Sequence, residues 1–395
     1  MTQLISKRTR EMSSFIVMDV LEKAHEMERQ GIDIIHLEVG EPDFDTPSCI
    51  KKAACQALEN GHTHYTHSLG LHLLREAICE HYFKTYNVTV DSDQVVVSSG
   101  TSPAMFVAFS ALLEKGDQVI ISDPHYACYP NFIKFVQGEP VNIPVYEEDG
   151  FQYRPEAIRK AITKRTKAIS INSPSNPTGN LLSAKRMQAI ADLSVADSLY
   201  IASDEIYHGL VYEGREHSIL EFTDNAFVFN GFSKLYAMTG LRLGYMIIPR
   251  QFIRPIQKVQ QNFFISANAM VQYAGIAALK EAAADVAQMK AVYNKRRQYM
   301  IRRIKEMGLG ITVEPTGAFY VFANVKHISQ DSFKLAFDIL EKAHVGVTPG
   351  IDFGLNGEGY IRLSYANSME KIKEGADRLE NYFKQKSGKN DNQIG

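Results

Sequence analysis

Five short apolar runs decide the fold: QVVVSS (94–99), QVIISD (118–123), AISINS (168–173), YIASDE (200–205) and AFVFNG (226–231). Each is apolar and short enough to form a buried strand. Longer amphipathic patterns lie between them, such as SPAMFVAFSALLEKG and SAKRMQAIADLSV, and these carry Ser or Pro near their starts, as helices do. Strands that alternate with helices predict an α/β protein whose mostly parallel sheet is covered by helices on both faces.

A second region begins near residue 253. Helical periodicity dominates through residue 307, and two strand candidates, AFYVFA (318–323) and YIRLSYA (360–366), precede a closing helix from about Met369. This pattern predicts a smaller α+β domain joined by a long helix. A helix at about residues 14–30 has no partner nearby in sequence, so we expect it to pack on the small domain or on a partner subunit.

The composition is that of a globular protein with an ample core. The chain has 395 residues, 45% of them apolar and 22% charged, which excludes disordered and collagen-like classes. The 43 basic and 45 acidic residues leave a net charge of -2, so we expect neither nucleic acid nor a membrane surface as partner. No apolar run reaches the roughly 20 residues of a membrane span, and the N-terminus is charged, which predicts a cytoplasmic protein.

The cysteines and histidines do not indicate a metal centre or a disulfide framework. The four cysteines show no CxxC spacing, and we expect them to be reduced and mostly buried. Four histidines lie close together in sequence, without an HExxH motif or paired cysteines: His62, His64, His67 and His72. We therefore interpret them as solvent-exposed loop residues rather than metal ligands and expect no metal site. The basic run at 295–303 is interpreted as the solvent face of a long helix.

Ligands of parallel α/β sheets bind beyond the carboxyl ends of the strands, so the residues there are candidates for chemistry. The first strand is followed by Ser99-Gly100-Thr101-Ser102-Pro103, a turn into a helix that suits a phosphate, although ordinary helix starts favour the same residue types. The third strand runs into Asn172-Ser173-Pro174-Ser175-Asn176-Pro177-Thr178-Gly179. Its prolines and glycine form a rigid loop that would hold Asn176 steady.

The last two strands add charged groups at the same edge. Asp204 lies at the end of the fourth strand, and Tyr207 follows it by three residues. Lys234 follows the fifth strand, and Arg242 lies eight residues after Lys234, between two glycines. Together with Asn176 and the turn that suits a phosphate, these residues are the set needed to hold pyridoxal phosphate.

The run Gly231–Gly244 matches the lysine-attachment pattern of the class I and II aminotransferases. The chain resembles fold-type-I pyridoxal-phosphate enzymes, and most of all the prokaryotic aspartate/aromatic branch of class I, from GEPDFDTP (40–47) to YIRLSYA (360–366). The resemblance implies a large domain over residues 46–285, with a mostly parallel seven-stranded sheet sandwiched by helices. It also implies a small α+β domain formed by residues 1–45 and 286–395.

The same resemblance assigns roles around the cofactor. Lys234 matches the lysine that forms a Schiff base with pyridoxal phosphate and moves the proton at the substrate Cα. Asp204 matches the carboxylate that pairs with the pyridinium nitrogen and keeps the ring an electron sink. Tyr207 and Asn176 match the groups that hydrogen-bond the ring hydroxyl oxygen.

Further matches surround the phosphate and imply a dimer. The phosphate cup is expected from Gly100, Thr101, Ser102, Ser233 and Arg242. Tyr65 matches a tyrosine that reaches the phosphate of the neighbouring subunit, which implies a homodimer with shared active sites.

The resemblance also assigns the substrate side. Arg362 matches the arginine that grips the α-carboxylate as a two-pronged fork, and Gly40 matches a backbone position close to the same carboxylate. Asn176 and Tyr126 are expected to contact the substrate as well. Tyr126 stands where many relatives carry a tryptophan stacked on the cofactor ring, and a tyrosine stacks over less area.

The N-terminal residues favour one class of donor. We interpret Phe15-Ile16 as an apolar lid over the side-chain pocket, which would strip water from a second carboxylate without offering it a partner. We therefore expect a ping-pong aminotransferase with a neutral or aromatic L-amino acid as donor, rather than aspartate, and 2-oxoglutarate or pyruvate as acceptor.

Two rival functions remain open at this point. A cysteine-sulfur β-lyase uses the same cofactor site, because the carbanion can expel a leaving group instead of being reprotonated. A non-enzymatic regulator with an aminotransferase-like domain needs an additional DNA-binding domain, for which the roughly 40 residues before Gly40 are expected to be too few. The chain has no GxGxxG, GxxxxGK[ST] or GxSxG motif, so the nicotinamide, P-loop and α/β-hydrolase alternatives lack their characteristic parts.

Overall fold

The computed structural model describes residues 5–391, with side chains up to residue 386. The extreme ends of the predicted small domain, residues 1–4 and 392–395, lie outside the described residues. The strands of residues 5–391 are β1 (Ile35–His36), β2 (Val95–Ser98), β3 (Gln118–Asp123), β4 (Glu139–Pro144), β5 (Thr166–Asn172), β6 (Tyr200–Asp204), β7 (Ala226–Gly231), β8 (Gly244–Ile247), β9 (Tyr320–Asn324), β10 (Val345–Gly346), β11 (Thr348–Pro349) and β12 (Tyr360–Ser364).

The helices of the described part connect and cover these strands. They are α1 (Lys7–Arg10), α2 (Ile16–Arg29), α3 (Ser48–Glu59), α4 (His72–Tyr86), α5 (Thr101–Leu112), α6 (Tyr129–Phe135), α7 (Pro155–Ala161), α8 (Ala184–Ala196), α9 (Ile253–Phe263), α10 (Ala269–Glu281), α11 (Ala283–Glu306), α12 (Ser332–Ala343) and α13 (Met369–Asp391). Their sequence signals include the N-caps Ser183 of α8 and Asn268 of α10, whose side chains accept hydrogen bonds from backbone amides of the first turn.

The large sheet has seven strands in the order β2-β8-β7-β6-β5-β3-β4, and every pairing is parallel except those of β8. This confirms the predicted mostly parallel seven-stranded sheet. Its strands alternate between two apolar layers: Val95 and Val97 pack on one side, and Val96 packs on the other. Helices on both faces cover these layers, so the carboxyl ends of the parallel strands meet at one edge of the sheet.

Two strands of this sheet were not located from the sequence. β4 is an edge strand with two prolines and mostly accessible side chains, so it lacks an apolar run. β8 is four residues long, begins at Gly244 and is antiparallel to both neighbours. Both strands were missed because short strands and edge strands leave little periodicity in the sequence.

A second core lies around a three-stranded antiparallel sheet, β11-β12-β9. It combines β9 and β12 with apolar residues of α11, α12 and α13, together with Ile35 and Leu37 from the start of the chain. The domain boundaries at 45/46 and 285/286 remain a prediction. α2 packs against α12 through Val20, Ala24 and Leu340, so it returns to this second core.

The basic run in α11 differs from the prediction of a solvent face. Lys295 and Arg302 are exposed, but Arg296, Arg297 and Arg303 are buried and paired. Their carboxylate partners come from distant parts of the chain: Asp43 for Arg296, Glu213 for Arg297, and Asp377 and Glu380 for Arg303. The prediction was wrong for these three arginines because long-range ion pairs neutralise a buried charge and leave no trace in the local pattern.

Across residues 5–391, none of the helices combines the length and the apolar character that a bilayer crossing requires.

Candidate active site

A cavity of about 200 Å³ lies beyond the carboxyl edge of the seven-stranded sheet, where sequence reasoning placed the chemistry. Nine of the predicted site residues line it: Gly40, Thr101, Ser102, Tyr126, Asn176, Asp204, Tyr207, Lys234 and Arg362. Gly100 and Ser233 adjoin the lining residues Thr101 and Lys234 in sequence, and the Arg242 guanidinium lies beside Gly100, but none of the three lines the cavity. Residues from both sheets therefore converge on one space.

Lys234 extends into this cavity from the segment after β7. Its Nζ donates a hydrogen bond of 2.7 Å to the carbonyl oxygen of Gly40. Burial lowers the pKa of Lys234 to about 8, and the positive charges of Arg362 and Arg242 act in the same direction, against the opposing effect of Glu41. An amine with this pKa is neutral in a substantial fraction of molecules near neutral pH, so it can act as a nucleophile or base.

Asp204 ends β6 beneath the same cavity and is buried. Tyr129 donates a 2.6 Å hydrogen bond from its hydroxyl to Oδ2, and the backbone amide of Ile206 donates to Oδ1 at 3.2 Å. Burial raises the pKa of Asp204 to about 6, and these hydrogen bonds oppose the shift. The carboxylate is thus fixed in position, and a cationic partner in the cavity would stabilise its charged form.

One end of the site is shaped for an anion. Gly100, at φ +102°, is the N-cap of α5, so no side chain of that residue covers the first amides of the helix. A Cβ at Gly100 would come within 2.7 Å of Nη2 of Arg242, and one at Gly244 would come within 2.7 Å of the Gly100 carbonyl carbon. These two glycines allow the guanidinium and the helix start to approach each other closely.

The loop after β5 aligns Asn176. Asn172 donates a hydrogen bond to the Asp204 carbonyl oxygen at 3.0 Å, and its own Oδ1 accepts one from the Asn176 amide at 2.8 Å. The Oδ1 of Asn176 in turn accepts from Nη1 of Arg362 at 2.8 Å. Two cis peptides, Ser173-Pro174 and Asn176-Pro177, belong to the same loop.

Arg362 projects from β12 and is held by several partners. Its Nη2 donates to the carbonyl oxygen of Glu38 and to Oγ1 of Thr348, at 2.5 and 3.1 Å, and its guanidinium lies over the rings of Tyr320 and Phe353. The side chain is only 2% exposed, and its Nε has no partner among the described residues. A buried planar cation with an unused donor suits an entering carboxylate.

Tyr320 is the main site residue that sequence reasoning missed. Its hydroxyl shares a hydrogen bond of 2.7 Å with that of Tyr207, and a Cβ at Gly40 would lie 1.9 Å from it, so only glycine fits there. Tyr129, Asn172 and Thr348 were missed as well. The run AFYVFA has the pattern of an ordinary apolar strand and does not mark Tyr320 as a site residue. The available signal was that residues near a strand end of the second sheet could face the seven-stranded sheet.

The N-terminal segment (residues 15–18) forms the remaining wall. Phe15, Val17 and Met18 line the cavity, and Phe15 meets Tyr126 edge-on at 6.0 Å between ring centroids. Ile16 was predicted to share the lid with Phe15, and that was wrong: its side chain packs towards the α2 core instead. The reason is that α2 begins at Ile16, so successive side chains turn by about 100° around the helix axis.

Tyr65 is not brought to this cavity within one chain. Its side chain is 81% exposed and lies beside a separate surface depression that includes Leu58 and Ser266.

The donor set fits pyridoxal phosphate. An uncapped helix start beside Arg242 suits the phosphate, and the buried Asp204 suits a ring nitrogen. The amine of Lys234 suits the aldehyde carbon, and Tyr126 offers an aromatic face. Asn176 and Tyr207 supply polar groups between these ends.

Sequence comparisons match this architecture. The family model described as "Aminotransferase class I and II" matches residues 32–379. The (5-formylfuran-3-yl)methyl phosphate transaminase of Methanocaldococcus jannaschii is 42% identical over 384 residues, covering 96% of this chain and all of the relative. The aspartate aminotransferase of Pyrococcus horikoshii is 42% identical over 369 residues, covering 92% of this chain and 93% of the relative.

A solved structure has the same fold. A double mutant of the aspartate aminotransferase of Thermus thermophilus superposes with a TM-score of 0.92 at 37% identity, covering 95% of this chain and 99% of that one.

Proposed function

The chain belongs to the class I and II aminotransferase family and is an aminotransferase, and from that premise we propose that it uses pyridoxal phosphate to move an amino group from a neutral or aromatic L-amino acid to a 2-oxo acid. The observation that carries this proposal is that Lys234, Asp204 and Arg362 line one cavity. These groups are the base, the ring partner and the carboxylate receptor that the reaction needs.

When bound, pyridoxal phosphate supplies the electron sink that accepts charge from the substrate Cα. Lys234 moves the proton from that carbon, because its lowered pKa leaves a neutral amine available. Asp204, held by Tyr129 and the Ile206 amide, stays aligned beneath the cavity to pair with a positive charge. Arg242 and the start of α5 receive the phosphate.

Arg362 orients the substrate by binding its α-carboxylate. Asn176, Thr348 and the Glu38 carbonyl hold the guanidinium plane, so the side chain is ordered before the substrate arrives. Preordering of this kind reduces the entropy lost on binding.

The donor preference rests on the cavity wall. Phe15, Val17 and Met18 are apolar, and the cations among the lining residues are Lys234 and Arg362, both already assigned to other tasks. A second substrate carboxylate would lose water without gaining a partner from this chain. The names of the two relatives differ in substrate and do not decide the donor.

We also propose that two copies share their active sites through Tyr65. Its 81% exposure, with Leu58 nearby at 53%, suits a residue that enters a neighbouring subunit. Hybrid dimers of one Tyr65→Ala chain and one Lys234→Ala chain test this. If the sites are shared, one site of each hybrid has Lys234 from the first chain and Tyr65 from the second, so that site is intact. Activity well above that of either parent supports sharing, and no gain on mixing contradicts it.

The amino-transfer test is a half-reaction screen of the cofactor-loaded enzyme with each amino acid, following the cofactor absorbance. Neutral and aromatic amino acids should convert the cofactor faster than aspartate, and steady-state rates should show the parallel reciprocal plots of a ping-pong reaction. Lys234→Ala should lose both the lysine-bound absorbance and the reaction, whereas Lys84→Ala, which changes an exposed lysine, should retain both. Faster turnover of aspartate than of alanine, methionine and phenylalanine would contradict the donor proposal.

The β-lyase alternative has a separate readout. Release of pyruvate and ammonia from cystathionine without an added 2-oxo acid would indicate elimination instead of transfer.

A further inference from the structure

A cluster of two histidines and a glutamate lies on the outer side of the second core, away from the cavity. His25 and Glu28 occupy one face of α2, and His36 ends β1. Nδ1 of His25 is 2.8 Å from Oε2 of Glu28, and Nε2 of His36 is 3.1 Å from Oε1 of the same carboxylate. The side chains of His25, Glu28 and His36 are 52%, 38% and 26% exposed, so the cluster is open to ions from solvent.

A buried glutamate stands behind the cluster. Glu38 is fully buried, and its Oε1 is 2.6 Å from Nδ1 of His36. Its Oε2 has no partner among the described residues, and a Cβ at position 346 would lie 2.0 Å from it, so Gly346 makes room for the carboxylate. A carboxylate on one ring nitrogen fixes the imidazole so that the other nitrogen faces outward, which is the support that metal-binding histidines commonly have.

We propose that His25, Glu28 and His36 bind a first-row divalent cation of the zinc class, with Glu38 orienting His36. Two imidazole nitrogens and one carboxylate oxygen form a ligand set that Zn²⁺ accepts with a water in the fourth position. Oxygen-preferring ions such as Mg²⁺ and Ca²⁺ are disfavoured by the two nitrogen ligands. The sequence predicted no metal site, because these residues carry no recognised spacing and come together only through the α2–β1 turn.

The geometry needs only small side-chain movements. One potential ligand atom from each residue lies within 4.8 Å of the other two. A tetrahedral Zn²⁺ ion about 2.0–2.2 Å from each ligand holds its ligand atoms about 3.3–3.6 Å apart. Two of the three side chains are on the surface, so side-chain rotations that move the ligand atoms by roughly 1 Å can close the difference.

Such an ion would clamp α2 to β1. The N-terminal segment at the start of α2 lines the cavity, and the Glu38 carbonyl accepts the hydrogen bond from Arg362. A cation here would therefore stiffen the N-terminal segment and the Glu38 backbone, which both support the site, without touching substrate.

The test is zinc titration of the full-length, cofactor-loaded protein after treatment with a chelator. Calorimetry should show one Zn²⁺ per chain, and zinc should raise the melting temperature because it binds the folded state preferentially. His25→Ala and Glu28→Gln should each weaken zinc binding at least tenfold and remove the rise in melting temperature. Glu38→Gln, which keeps the side chain's shape, should weaken binding by about 10- to 100-fold.

The control is His72→Ala, which removes another exposed histidine paired with a glutamate on a helix, His72 with Glu76 at 3.3 Å. It should bind zinc as the unchanged protein does. The proposal is overturned if the unchanged protein binds no zinc, if His25→Ala and Glu28→Gln bind it as tightly, or if His72→Ala loses it equally. His25 and Glu28 are at the surface, so their variants are expected to fold.

Discussion

Arg362 and Asn176 are joined by a 2.8 Å hydrogen bond from Nη1 to Oδ1, which connects β12 of the three-stranded sheet to the loop after β5 of the seven-stranded sheet. The amide oxygen of Asn176 accepts the bond from the guanidinium, so its NH₂ group is the part of the side chain left to donate to a ligand in the cavity. One residue pair thus links the proposed substrate and cofactor positions.

Replacing Arg362 by lysine should test this link. Lysine keeps the charge but cannot donate to Asn176, Thr348 and a substrate carboxylate in one plane, so Arg362→Lys should lower kcat/KM for every amino acid roughly 10- to 100-fold. Half-reaction kinetics measure the effect. Arg303→Lys is the matched control: Arg303 is buried and paired with three carboxylates outside the cavity, so this variant should leave KM unchanged. An unaltered half-reaction in Arg362→Lys would refute the assignment.

The pKa of Lys234 predicts how the cofactor-free protein takes up pyridoxal phosphate. With a pKa of about 8, roughly one-tenth of the amine is neutral at pH 7 and about half at pH 8, and the neutral fraction saturates above about pH 9. The uptake rate should therefore rise between pH 6 and about 9 and then level off. N-acetyl-lysine measured in parallel should keep accelerating beyond pH 9. A protein rate that continues to rise tenfold above pH 8 would show that this amine has an ordinary pKa.

Met18 tests the donor preference. Its side chain lines the cavity and is 50% exposed, so a cationic replacement can reach both the cavity and water. Met18→Lys should raise kcat/KM for aspartate relative to phenylalanine by about tenfold, because a second carboxylate then gains a partner. Met12→Lys, at a 42% exposed methionine outside the cavity, is the control and should not change the ratio. An unchanged ratio in both variants would mean that this wall does not select the donor.

Asp352 anchors the start of α2 from a distant part of the chain. Its Oδ1 accepts a hydrogen bond from the Ile16 amide at 2.9 Å, and its Oδ2 accepts one from Val17 at 3.2 Å. Asp352→Ala should cost about 0.5–2 kcal/mol of unfolding free energy, as the loss of a helix N-cap does. It should also raise KM, because the N-terminal segment loses its anchor.

Asp331→Ala provides the comparison for that variant. Asp331 caps α12 by accepting a hydrogen bond from the Lys334 amide, so its loss should destabilise the protein to a similar degree and leave KM unchanged. Denaturant unfolding and steady-state kinetics separate the two effects. Equal KM values in both variants would contradict a role for Asp352 in the site.

The strand-end residues could be predicted because strand direction alone determines where they lie. Asp204, Asn176 and Lys234 follow parallel strands that are neighbours in the sheet, so a correct assignment of β5, β6 and β7 brings them together. Arg362 reaches the same cavity from another sheet, and only the family resemblance indicated it. The roles of these residues remain predictions.

The residues that could not be predicted depend on contacts between distant segments. Tyr320 lies in an apolar strand whose neighbours in sequence are buried, and nothing local distinguishes it from a core tyrosine. Arg296 and Arg297 resemble solvent-facing residues until the partners Asp43 and Glu213 are known. In each case the deciding interaction joins parts of the chain far apart in sequence.

The tyrosine at position 126 has an optical consequence. The chain contains 19 tyrosines and no tryptophan, so its ultraviolet emission contains no indole contribution. Tyr126→Trp would place a single indole fluorophore in the cavity wall, at the position that now contacts Phe15 of the N-terminal segment. Its emission could then report ligand entry and movement of that segment without background from any other indole in the protein.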